Sequence, residues 1–378
     1  DDMKQAMEHY IAHLKTEIDP THTVCPVMAF GDASGGIRYS YLAGVDFVRA
    51  ETMVGHTQTL LSQARPAAEA LGDGSWGVHI AIQHHYQPYQ HTHLGQYFLS
   101  LLQPWVMGAE TIYEEDCLFN MFKEERMAWD DSLTKGKRDM TRQFFKFAKT
   151  HPRTGKNVRN IAFLEGRYAA PFNGFICDSE QDPHYSVWGL YGNPDASWGH
   201  GQPEKCRQVL DVLMPGANTQ PLRQKYDKRR FFFSGNPYGD FDEVPVEAKA
   251  EYFDQYKLML NLGWNTAIAE DMEKLTEYVK KGGILLSGLD NGVNYLVDDE
   301  EEKIVNTMPF DPLVNEDHRK LLEDTDCGMQ FSHTVEEQIG GQLEAGLIVT
   351  HIYGDTNGSG RLHEMNIECY YATRAVKP

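Results

Sequence analysis

The sequence predicts an α/β protein built on parallel sheets, and three observations carry that prediction. Short apolar runs alternate with stretches of helical spacing through residues 1–150, giving four strand–helix steps. The polar hinge Thr150-His151-Pro152-Arg153-Thr154-Gly155 is followed by a fresh apolar run. Glu270 to Leu296 then reads as one complete helix–glycine–strand step. Parallel strands need such crossovers, because a tight turn cannot return the chain to the same end of a sheet.

Met3, Met7, Ile11, Leu14 and Ile18 share one helical face. Val24 to Phe30, ending at Gly31, reads as a buried strand. Val45 to Ala50 is the second strand and delivers Glu51 at its carboxyl end. Residues 57–71 read as a helix in spite of Pro66, and Trp76 to Gln83 as the third strand, running into a loop rich in histidine and tyrosine. A helix near 96–104 leads to the fourth strand, Gly108 to Tyr113, with Glu114-Glu115-Asp116 at its end. Four such units suggest a partial β/α (TIM-like) barrel over residues 1–150. A closed barrel has eight, so the other half is expected upstream of Asp1.

Residues 136–150 form an amphipathic helix through Met140, Phe144 and Phe147. After the hinge, Val158 to Leu164 opens a second α/β region. A long loop with Trp188, Tyr191 and Trp198 reads either as a site at the domain boundary or as a contact between copies of the chain. A helix near 204–213 and Phe231-Phe232-Phe233 follow, and Tyr256 to Leu262 fits strand or helix equally. Met272, Leu275, Tyr278 and Val279 then lie at helical spacing, Gly282 supplies a left-handed stop, and Ile284-Leu285-Leu286 is a strand. The acidic run Asp298 to Glu302 reads as a solvated turn. Thr334-Val335-Glu336-Glu337 is a capping box opening a helix that ends at Gly346. Leu347 to Ile352 and Tyr370 to Thr373 are the last strands.

A net charge of -20 argues against nucleic acid or an anionic membrane as the partner. The six cysteines never form Cys-x-x-Cys, so a zinc ribbon or redox dithiol is not expected.

Two resemblances meet in this chain. Residues 20–288 resemble a β-galactosidase-like glycoside hydrolase, a β/α barrel followed by a flavodoxin-like trimerisation (glutamine-amidotransferase-like) domain. The residues carrying this are Asn160 to Leu164, Leu262-Gly263-Trp264-Asn265 and, most specifically, Leu275 to Gly283. Residues 282–378 resemble the C-terminal part of a class I S-adenosylmethionine-dependent methyltransferase. That resemblance rests on Gly282 to Leu286, Asn291 to Leu296, Met308 to Leu313, Gln330 to Leu343 and Ala372 to Lys377. It implies a glycine-rich cofactor turn after the first strand, yet no Gly-x-Gly-x-Gly follows a strand here. The domains expected are therefore 1–150, 151–288 and 289–378, joined as in a chimera.

Glycosidic cleavage needs two carboxyl groups facing one bond. In β/α barrels they sit at strand carboxyl ends, which selects Glu51 paired with Glu114 or Glu115, with Glu110 and Asp116 beside them. Trp76, Tyr86, Tyr89, Tyr97 and Trp105 interleave with His79, His84, His85, His91 and His93. Flat rings stack on sugars while imidazoles bond hydroxyls, so Trp76, His79, His84, His85 and Tyr86 are candidate saccharide contacts; an aromatic core layer is the competing reading. His91 and His93 share a strand face, but no third ligand is specified, and no metal or cofactor is expected. The leading function is a carbohydrate-active hydrolase with a saccharide substrate. The alternatives are the methyltransferase activity that the second resemblance implies and a non-catalytic carbohydrate-binding or assembly protein.

Overall fold

The computed structural model describes residues 3–25, 27, 29–32, 35–52, 57–81, 94–114, 132–155, 157–169, 240–261, 267–282, 284–325 and 331–378. These build two sheets of the α/β class. The first joins β1 (Ala29–Asp32), β2 (Phe47–Thr52), β3 (Gly77–Ile80) and β4 (Thr111–Glu114), all parallel and in chain order. Around them run α1 (Met3–His22), α2 (Ile37–Leu42), α3 (Thr57–Leu71), α4 (Leu94–Met107) and α5 (Ser132–Thr150). Successive right-handed crossovers in one direction place their helices on one face of a sheet. Accordingly Val48, Ala50, Val78 and Ile80 are buried in one core with Leu60, Leu61, Ala64 and Leu101. The alternate residues Phe47, Arg49 and Glu51 are only half-buried on the other face.

The expected first strand is shorter than its apolar run. Val24 is 84% exposed and Val27 60% exposed, because α1 continues to His22 and turns back at Val24, whose amide donates to the Thr21 carbonyl. α2 escaped sequence reading because six residues are too few to show a period.

The second sheet has the order β6-β5-β7-β8-β10-β9, from β5 (Ile161–Glu165), β6 (Phe241–Pro245), β7 (Leu258–Asn261), β8 (Ile284–Asp290), β9 (Ile348–Asp355) and β10 (Tyr370–Val376). β5 to β8 are mutually parallel, and β10 is antiparallel to both β8 and β9. The helices here are α6 (Ala250–Phe253), α7 (Ala269–Lys280), α8 (Glu316–Thr325), α9 (Gly341–Glu344) and α10 (Gly360–Glu364). Within the run from Tyr256, Leu258–Asn261 form the strand β7, and α7 stops where expected, at Gly282 with φ +93°. Residues 289–378 do not stand beside this sheet: β9 and β10 extend it past β8. β6 had no apolar signature, since Asp242 and Glu243 lie in its middle, yet all five of its residues are buried. The capping box forms as read, Thr334 and Glu337 exchanging bonds of 2.9 and 3.1 Å. It opens a π turn, Glu336–Gly340, that runs into α9 rather than one long helix. No described helix is long and apolar enough to cross a membrane.

α3 belongs to both halves of the molecule. Leu60, Leu61 and Ala64 fill the first core, Ala70 packs against the second, and Arg65 points at β6. The Trp188 loop, the helix near 204–213 and Phe231–Phe233 lie outside the described residues.

Candidate functional site

The register fixes which candidates of the first sheet can meet. Glu51, His79 and Tyr113 are lateral neighbours, as are Thr52, Ile80 and Glu114 one residue further on. Adjacent strand residues point to opposite faces. Glu51 therefore shares a face with His79, whose Nδ1 lies 3.8 Å from its carboxylate. Tyr113 packs edge-on against the His79 ring at 4.9 Å, and the Arg49 guanidinium lies 5.6 Å from the Tyr113 ring centre. Glu114 points to the helix side instead, where it accepts a bond from Thr141 of α5 at 3.3 Å. The pairing of Glu51 with Glu114 is corrected by this geometry: the sheet separates them. Asp46 pairs with His22 at 2.9 Å.

Trp76 and Glu110 are corrected as well. Both precede their strands, so they sit at the amino end of the sheet, where the Glu110 amide donates to the Trp76 carbonyl at 2.9 Å. Trp76 is 2% exposed inside the first core and has no ring face to offer a sugar. Tyr97 is likewise core, and Trp105 packs edge-on against Phe144 and Phe147. His84, His85, Tyr86, Tyr89, His91, His93, Glu115 and Asp116 lie outside the described residues.

In the second sheet the strand order reverses between β5 and β7, the position where doubly wound sheets hold ligands at their carboxyl ends. Arg38 of α2 lies beside it, over the segments that follow β5 and β6. Its guanidinium donates to the Gly166 carbonyl at 2.8 Å and lies 3.6 Å from Glu165 and 3.4 Å from Glu247. Burial opposes its charge, but Glu247, Tyr39 and Glu165 more than restore it. The Tyr39 hydroxyl donates to the Ala169 carbonyl at 2.7 Å. Beside them Arg167 clamps Asp271 through two bonds of 2.6 and 2.7 Å.

The open space lies further along the same edge. A cavity of about 800 Å³ sits at the carboxyl end of β8, within the usual range for a small-molecule site. Asp290 ends the strand and accepts the Gly292 amide at 2.6 Å. Gly292 has φ +84°, and a Cβ there would lie 2.8 Å from the Met308 sulfur, so the turn requires glycine. One wall is aromatic: Tyr295 stacks on Phe310 at 4.9 Å, and Phe310 stacks on His318 at 4.3 Å. Another wall is a polar relay in which Asn357 donates to Asn294 at 2.8 Å and Asn294 to the Tyr370 hydroxyl at 3.1 Å. Val305, Leu321 and Leu322 supply apolar surface, and Asp298, Asp299 and Glu300 stand at the rim. Burial pushes the Asp290 carboxyl above the ordinary aspartate range, against the pull of the Gly292 amide and Asn294. Sequence reasoning passed over this site, although Asp290 gives the same signal that selected Glu51, an acid closing a parallel strand. Among the described residues no three His, Cys, Asp or Glu side chains are grouped to hold a metal ion.

No family model matches the chain. A protein of Bacillus subtilis (strain 168) named as an uncharacterized methyltransferase, YbaJ, is 39% identical to it over 107 residues, which is 26% of this chain. The chain spans about two fifths of that relative's length, 41%. This similarity supports the methyltransferase-like part of the sequence reading and gives no support to the glycoside hydrolase part.

Proposed function

We propose that the chain is a methyltransferase-type protein whose C-terminal third holds the methyl acceptor. The similarity to a protein named as a methyltransferase carries the reading, and the cavity beyond β8 gives the acceptor a place. An acceptor must enter a partly dry pocket and turn one nucleophilic atom outward. The aromatic wall and the leucines exclude water, the Asn294–Tyr370–Asn357 relay orients polar groups, and Asp290 is placed to take a proton from the acceptor atom.

The resemblance implies S-adenosylmethionine, which would supply the methyl group, held on a glycine-rich turn after the first strand of the sheet. The described residues do not fit it. That turn begins Glu165-Gly166-Arg167-Tyr168-Ala169, and Arg38 and Tyr39 already bond four of its carbonyls, those of Glu165, Gly166, Arg167 and Ala169. Acceptor binding is thus the task assigned to this chain on its own. Calorimetric titration with S-adenosylmethionine up to about 1 mM is expected to give no saturable heat, which corresponds to a binding free energy weaker than about −4 kcal/mol. One-to-one binding in the micromolar range would overturn the acceptor-only reading.

A second reading retains carbohydrate chemistry on the face of the first sheet that carries Glu51, because Glu51 and His79 do meet there. Under this reading Glu51→Gln removes at least a hundredfold of aryl-glycoside turnover; equal turnover in the variant and the parent retires it.

A further inference from the structure

The walls of the β8 cavity differ in kind, and together they specify a ligand class. Among the described residues, all of its charged lining side chains are acidic, Asp290, Asp298, Asp299 and Glu300, with no lysine or arginine. Acidic residues alone would mark only a solvated rim. Here one of them, Asp290, is half-buried at a strand end and lines the same space as Tyr295. A carboxylate opposite an aromatic face is the arrangement that holds an organic cation: the ring quadrupole attracts positive charge, and the carboxylate neutralises it. A bare metal ion does not suit the site, since no three ligating side chains are grouped for one among the described residues. A volume of about 800 Å³ also exceeds what an inorganic ion or methylamine fills, and Val305, Leu321 and Leu322 offer apolar surface for a larger body.

From this we infer that the cavity between β8, α8 and β10 binds an amine or ammonium compound carrying an apolar or aromatic body, its cation between Asp290 and Tyr295. The inference rests on reading this edge of the sheet as the acceptor side, and it narrows the acceptor to an amine. The rim residues Asp298, Asp299 and Glu300 raise the local cation concentration, an effect that salt screens.

The test is calorimetric titration of the full chain with three matched probes: phenethylamine, benzyltrimethylammonium and the neutral isostere 2-phenylethanol. Both cations should bind in the high-micromolar range and the alcohol at least tenfold more weakly. Asp290→Asn should cost the cations at least tenfold while leaving the alcohol unchanged, and Tyr295→Leu should weaken the quaternary cation most. The rim variant Asp299→Asn/Glu300→Gln, which touches only exposed positions, should change affinity by no more than about threefold. Circular dichroism melting of each variant separates lost binding from lost folding. Equal binding of the alcohol, no binding of either cation, or a rim variant as damaging as Asp290→Asn would each overturn the inference. Failure of the acceptor-only reading shows instead in the S-adenosylmethionine titration, so the two can fail independently.

Discussion

Arg65→Met is expected to destabilise the protein by about 3–5 kcal/mol, read as a lower urea midpoint at unchanged slope. The arginine is 2% exposed on α3 and reaches across to β6. Its Nε donates to Asp242 at 2.9 Å, and a second nitrogen donates to Asp240 at 3.0 Å and to the Met107 carbonyl at 3.3 Å. Asp242 is fully buried, and Arg159 at 3.2 Å and the Tyr256 hydroxyl at 2.6 Å complete its shell. Burial pushes this carboxyl upward, while Arg65, Arg159 and Tyr256 pull against it. Removing Arg65 deletes the largest pull and leaves a buried acid short of a partner, which costs more than the pair itself contributes. The double variant Arg65→Met/Asp242→Leu should therefore recover most of the loss. A double variant as unstable as the sum of its two single variants would show that packing, not charge, sets the cost.

The second large effect is pH-dependent. Asp271 is fully buried at the start of α7. Burial opposes its ionisation, but bonds from Arg167, the Ile268 amide and Lys274 hold it below the ordinary aspartate value. The native state thus binds this proton less readily than the unfolded chain does. The stabilisation is present above the unfolded pKa of roughly 3.9 and disappears as pH falls through the lower folded value. Asp271→Asn should cost about 2 kcal/mol at pH 7, from a charge-assisted bond and a helix cap. The gap between parent and variant should close below about pH 4. Urea midpoints at pH 7, 5, 4 and 3 measure it, and a gap that stays constant with pH rules the mechanism out.

What could be read from residues alone followed local chemistry. The α7–Gly282–β8 step was legible because helical spacing, a left-handed glycine and an apolar strand lie within one short stretch. α3 was legible to its end residues for the same reason. β6 was not, because Asp242 and Glu243 make it look like surface. Arg65, Arg159 and Tyr256, 177, 83 and 14 positions away in the chain, make Asp242 buriable. The site candidates failed for a related reason. Sequence gives the two faces of β4 but not which one meets α5, so Glu114 stood as well qualified as Glu51 until Thr141 fixed its side. Trp76 shows that a tryptophan beside histidines carries no direction. The β8 cavity needed five separated segments, around residues 290, 310, 321, 357 and 370, that no spacing rule connects.

β8 receives parallel bonds from Leu258–Asn261 on one side and antiparallel bonds from Tyr370–Val376 on the other. Those ladders use only peptide groups, so they cannot distinguish the ancestry of the segments they join. A recombination crossover inside this strand would keep both ladders, provided length and register match, and would leave the core shared by Leu275, Tyr278, Leu347 and Ala375 to repack. Lineages that differ everywhere else can for that reason be spliced at a single strand and still close one continuous sheet.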